Sequence, residues 1–89
     1  MDNTVGVHLV TMATMGMFTR EQLEGIYMSS YALALGGNQQ CQYVADKFEL
    51  VLALDHGYNT EQINGLKNAV LMGLAEAMMG KPINDSGGG

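Results

Sequence analysis

Positive charge is scarce in this chain. Four lysines and arginines stand against nine aspartates and glutamates in 89 residues, a formal net charge of -5. A nucleic-acid binder needs a basic stripe to neutralise phosphates, so that class is set aside. There is a single cysteine, so no intrachain disulfide framework is available. Long hydrophobic runs are missing too. The longest aliphatic run, Leu50–Leu54, is far short of the ~18–20 residues of a membrane-spanning helix. The N-terminus carries an acid and no basic segment, which argues against a secretory signal and for a cytoplasmic location. The one proline, Pro82, lies near the C-terminus, past every periodic segment.

What is present is apolar surface. The hydrophobic fraction is 47% and only 15% of residues are charged, which suits one small packed domain rather than a disordered tail. A domain of this size hides a modest share of its apolar surface. Eight methionines add adaptable packing or contact area. Binding to a protein partner, or to a second copy, is therefore expected on composition alone.

Periodicity predicts an all-α fold: a small antiparallel bundle or helical-hairpin array of three to four helices within residues 1–83. One helix opens with Thr19 as N-cap, Gln22 as N3 and a Phe18–Leu23 staple. Its stripe is Leu23, Ile26, Tyr27, Ser30, Tyr31 and Ala34, and Gly36-Gly37 stops it. The next opens near Asn38. It buries Cys41, Val44, Ala45, Phe48, Val51 and Leu52, wets Asp46, Lys47 and Glu49, and stops at Asp55-His56-Gly57. Leu50–Leu54 is apolar all round, so its last turns are expected to be covered on more than one side. The last helix opens at Asn59 with Gln62 at N3. It presents Ile63, Leu66, Val70, Leu71, Leu74, Ala77 and Met78, and ends at Gly80 and Pro82. Short links predict two antiparallel hairpins sharing the middle helix. Residues 1–17 read either as a helix capped by Asn3, with Val5, Leu9, Met12 and Met15 inward, or as an extended arm. The glycine-rich tail Asn84–Gly89 is expected to be disordered.

Two stretches echo one another. Phe18 to Ile26 and Tyr58 to Leu66 share an aromatic, a cap, Glu, Gln, an aliphatic, Gly and an aliphatic, forty residues apart. Helical repeat families have periods of roughly 34–47 residues. Shared capping chemistry accounts for much of this pattern. It does not account for Gly25 and Gly65, since glycine inside a helix costs about 1 kcal/mol against alanine. Gly65, Ala69, Gly73 and Ala77 recur every four residues, and Gly25 and Ser29 make a shorter row. Such rows predict close helix packing within the chain or a homodimer seam.

Catalytic constellations are sparse, and the reading is non-enzymatic, with no cofactor and no metal. Cys41 has no cysteine partner, and His8 and His56 are far apart in sequence. A Cys41–His56 pair would need the fold to join them. Gly36-Gly37-Asn38 lacks the lysine of a phosphate loop, though its amides could face an anion. Two functions are carried forward. The first is an interaction module, a small chaperone, adaptor or inhibitor, binding a partner through an apolar helical groove. Its candidate contacts are Met12, Met15, Met17, Tyr27, Tyr31 and Phe48. The second is a small-ligand-binding or sequestering homo-oligomer, anchored by the Gly36–Asn38 amides and Tyr43.

Tyr31 to Ala45 (YALALGGNQQCQYVA) resembles part of the small tetratricopeptide-like chaperones of bacterial type III secretion. An apolar helix there ends in a Gly-Asn turn, with a cysteine and then an alanine soon after. Phe48 to His56 (FELVLALDH) is similar to the closing helix of a tetratricopeptide unit. The span from Gly36 to Ala45 is longer than in a standard repeat, His56 stands where proline is common, and Met1–Met17 has no counterpart. The resemblance implies a concave helical surface that holds an aggregation-prone secretion subunit until export.

Overall fold

The computed structural model describes residues 3–79, and every regular element among them is an α-helix. In chain order these are α1 (Thr4–Thr14), α2 (Arg20–Leu35), α3 (Gln39–His56) and α4 (Thr60–Met79). The helix stop expected at Gly80 and Pro82, and the tail Asn84–Gly89, lie outside the described residues.

Local chemistry sets the helix ends. At α2 the Gln22 amide donates to Thr19 Oγ1 at 3.1 Å, and the Thr19 amide donates to Gln22 Oε1 at 2.9 Å. At α4 the Gln62 amide donates to Asn59 Oδ1 at 2.8 Å, and the Asn59 amide donates to Gln62 Oε1 at 2.9 Å. Both are reciprocal capping boxes. Asn38 opens α3, accepting from the Cys41 amide at 3.0 Å. Three glycines with positive φ, Gly16, Gly37 and Gly57, follow the ends of α1, α2 and α3. After α2 the Gly37 amide donates to the Ala34 carbonyl and the Asn38 amide to the Leu33 carbonyl. After α1 the same pair of bonds runs from Gly16 to Ala13 and from Met17 to Met12. These are Schellman closures, and an L side chain at the glycine would strain them.

The α1 segment is a helix, not an arm, but its inward face differs from the expected one. Gly6 and Ala13 are buried and Leu9, Val10 and Met12 half-buried, whereas Val5 and Met15 are exposed. Asn3 precedes the helix without capping it through its side chain. Its Nδ2 donates instead to the Gln40 carbonyl on α3, at 3.4 Å.

The central helix is α3, which packs on both α1 and α2. Leu23, Tyr27, Phe48 and Leu52 are the largest fully buried side chains. Burying a residue of this size contributes about 1.5–3 kcal/mol. Phe18 closes the core over α2, its ring centroid 6.2 Å from that of Phe48. Glu49, expected on the wet face, is half-buried. Of Leu50–Leu54 only Val51 and Leu52 are buried; Leu50 and Leu54 face out. The expected cover on more than one side is incomplete because only the first turns of α4 meet α3, and α4 then packs chiefly on α2.

The main partner of α4 is α2. The second hairpin on the shared middle helix is looser than expected: α4 runs back along α3, with Lys67 at Glu49 and with Ile63 and Asn64 beside Leu50 and Ala53, but it packs more closely on α2. Ile63 joins the core cluster and Leu66 packs against it. The contacts between α2 and α4 advance in step along both helices. Tyr58 meets Glu24, Lys67 meets Tyr31, and Leu71 and Leu74 share a cleft with Ala32 and Leu35. The two helices thus run in the same direction. Contacts between α1 and α3 advance likewise, from Asn3 and Gln40 to Val10 and Thr14 beside Lys47 and Val51. The fold is two layers, α1 with α3 and α2 with α4. The closest antiparallel pair is α2 with α3, which joins the two layers. The forty-residue echo corresponds to two links built alike: a left-handed glycine, an aromatic and a capping box.

Candidate interaction surface

Where α2, α3 and α4 converge, a polar clasp emerges from the core. The Tyr27 hydroxyl donates to Glu49 Oε1 at 3.0 Å. Lys67 Nζ on α4 lies 3.5 Å from the same oxygen and 5.8 Å from the centroid of the Tyr31 ring. Tyr27 and Tyr31 stack, with centroids 6.1 Å apart. A second clasp lies at the start of the paired helices, where the Tyr58 hydroxyl donates to Glu24. Burial, and then the hydrogen bond to Glu49, push the Tyr27 phenol well above its ordinary range. Burial and the bond to Glu24 raise Tyr58 in the same sense. Both tyrosines are held protonated as donors to carboxylates. Such clasps orient helices; a partly exposed ion pair like Lys67–Glu49 contributes about 0–1 kcal/mol.

The sequence-predicted contacts separate into three groups. Tyr27 and Phe48, at 1% and 0% exposure, are core and have no surface to give a partner. The reason is that α3 is covered on two sides, so the centres of its stripe and of the α2 stripe face one another. Met12 and Tyr31 are half-buried. Met15 and Met17 are exposed on either side of Gly16, on the turn between α1 and α2.

The small-residue row does not pack within the chain. Gly25, Gly65, Ala69, Gly73 and Ala77 are all exposed. Beyond the helix's own nearby backbone, no atom of the described residues lies within 4 Å of where a Cβ would stand at Gly25, Gly65 or Gly73. The neighbouring stripe of Ile63, Leu66 and Val70 supplies the inward face instead. Leu71, Ala77 and Met78, expected inward, are exposed.

The anchors considered for a small ligand are already engaged. The amides of Gly37 and Asn38 are consumed by the Schellman closure, and that of Cys41 by its cap. Cys41 and His56 stand at opposite ends of α3, fifteen residues and roughly 22 Å apart along the axis, so they form no nucleophile–base pair. His8 is exposed. Tyr43 is half-buried, with Lys47 Nζ 5.7 Å from its ring centroid. Among the described residues no cluster of three or more His, Cys, Asp or Glu side chains could hold a metal ion. No described helix is long and apolar enough to cross a membrane.

Two apolar recesses were missed in the sequence. One is a cleft of about 480 Å³ between the C-terminal halves of α2 and α4, lined by Ala32, Leu35, Gly36, Leu71, Leu74, Ala75 and Met78. The other, about 440 Å³, follows the outer face of α2 from Phe18 past Gly25 and Ser29 to Leu33. A signal for the first was present. From Ala69 onward α4 is apolar on every side but for Glu76, more than one inward stripe requires. No family model, curated protein or solved structure matches this chain.

Proposed function

We propose that this chain is a non-enzymatic interaction module that receives the apolar face of a partner helix in the cleft between α2 and α4. The observation that carries the reading is the cleft itself. Leu35, Leu71, Leu74 and Met78 line an open slot between two helices running in the same direction, and no described segment of the chain fills it. Leu33 and Met79 add exposed apolar area nearby in sequence. A monomer with no partner gains nothing from leaving so many large side chains in water. Helix-in-groove binding uses such a slot, read by anchors at i, i+3, i+4 and i+7 of the incoming helix.

The likeness of Tyr31–Ala45 to the small chaperones of type III secretion favours one kind of partner. It is an amphipathic helical segment of a secretion subunit, kept soluble in the cytoplasm before export. Purification of the tagged full chain from its native host, beside Leu71→Asp, tests this. Leu71 is nearly half exposed, so the variant should fold. The expected result is a stoichiometric helical partner on the wild type that is lost from the variant. A wild type recovered alone, or a partner retained unchanged by Leu71→Asp, refutes the cleft as the binding site.

A further inference from the structure

The face of α4 turned away from the body carries a second pattern, separate from the cleft. Gly65, Met72 and Met79 stand seven residues apart, with Asn68, Ala69 and Glu76 between them, and all six are exposed. A seven-residue step keeps side chains along one seam suited to a second helix. The spacing of Gly65, Asn68, Met72, Glu76 and Met79 is symmetric about Met72. Met79, the largest knob, stands as far from Met72 on one side as Gly65, the deepest notch, does on the other. Glu76, an acceptor, is matched in the same way by Asn68, whose amide donates.

We propose that this seam is a two-fold interface with a second copy of this chain, α4 against α4, antiparallel and centred on Met72. An isologous interface requires a surface complementary to its own reverse, and that is what singles out a second copy as the occupant. In the pair, Met79 of each copy enters the notch at Gly65 of the other, Glu76 accepts from Asn68 across the axis, and the two Met72 side chains meet. Charge supports the same occupant. The chain carries -5, and two such chains repel wherever their acids meet. Between Lys67 and Lys81 the sole charged residue is Glu76, so copies joined here bring the least like charge together. Gly65 also gains a purpose. No described side chain lies within 4 Å of where its Cβ would stand, yet glycine occupies a helix interior at a cost to stability.

The test is the mass of the full chain, by sedimentation and light scattering from about 1 µM to about 200 µM, a range that brackets a micromolar dimer. The mass should rise from 9.5 kDa toward twice that value. Met72→Glu places two carboxylates on the axis and should raise the dimer dissociation constant by roughly tenfold or more. Gly65→Leu fills the notch and should weaken the dimer as well. It has open space in the monomer, so its helical circular dichroism and melting temperature should not fall. A mass of 9.5 kDa at every concentration overturns the proposal. So does a dimer indifferent to both variants, or one lost in Leu71→Asp alone, which would seat the second copy in the cleft.

Discussion

From Thr60 to Val70, α4 lies against α2 with Ile63 and Val70 buried and Lys67 over the Tyr31 ring. From Leu71 to Met79 the same helix has no buried residue; Leu74 is half-buried and Met78 and Met79 are 87% and 86% exposed. The distal half is nonetheless the more apolar, since Glu61 and Lys67 both fall in the proximal half. Hydrophobicity does not decide which half is covered. The reach of the neighbour does. After Leu35 the chain of α2 turns away through Gly36 and Gly37, and beside the distal half of α4 the end of α2 leaves an open cleft rather than a packed contact. Apolar surface in the proximal half is structural, and in the distal half it is available.

Truncations along the chain should reproduce that division, beginning with the core it depends on. Phe48→Ala empties the centre of α3 and should lose about 3–5 kcal/mol in urea unfolding, enough to unfold much of the population. Ile63→Ala, in the covered half of α4, should lose about 2–5 kcal/mol. A value below 1 kcal/mol would mean that α4 is not held by α2. Asn59→Ala breaks the capping box of α4 and should cost about 0.5–2 kcal/mol, read as a lower melting temperature.

Tyr27→Phe removes the clasp to Glu49 and should cost about 0.5–1.5 kcal/mol. It also carries a pH signature. The folded state holds the Tyr27 proton above the ordinary phenol range, whereas the unfolded chain releases it near pH ~10. This contribution to stability is intact below that pH and falls as pH rises beyond it. The alkaline decline in melting temperature should be shallower in the Phe variant. Met78→Ala, in the uncovered half, should stay within about 0.5 kcal/mol at low protein concentration. A larger loss would show that the distal half is buried in solution and would erase the contrast.

Much of this architecture was readable because it rests on local chemistry. The capping boxes at Thr19 and Asn59 and the stops at Gly37 and Gly57 each act within a few residues, and they form as their spacing implies. The stripes of α2 and α3 were legible for the same reason. The pairing of helices was not, because periodicity gives a face and not its neighbour. The short link at Asp55–Tyr58 implies that α4 lies antiparallel on α3, and it does so only over its first turns. The side chains that draw α4 toward α2 as well, Glu24 with Tyr58 and Tyr31 with Lys67, are more than thirty residues apart. The candidate contacts failed in part for the converse reason. Tyr27 and Phe48 looked like a binding surface as separate residues, and they fill the core once α2 and α3 close on one another. Leu71 and Met78 were read inward because no local rule marks where α2 runs out.

The two-layer stacking has a thermodynamic consequence. In a linear array, stability is the sum of each unit's own worth and its coupling to adjacent units, so the ends melt before the middle. Here α3 occupies the middle, joined to two neighbours, while α4 is joined chiefly to one. A partner helix seated in the cleft between α2 and α4 would act as one more link and lend coupling energy to the terminal helix. The melting temperature would then climb with the logarithm of partner concentration. Slowed amide exchange should appear first in the last two turns of α4, where the free chain has the least to lose.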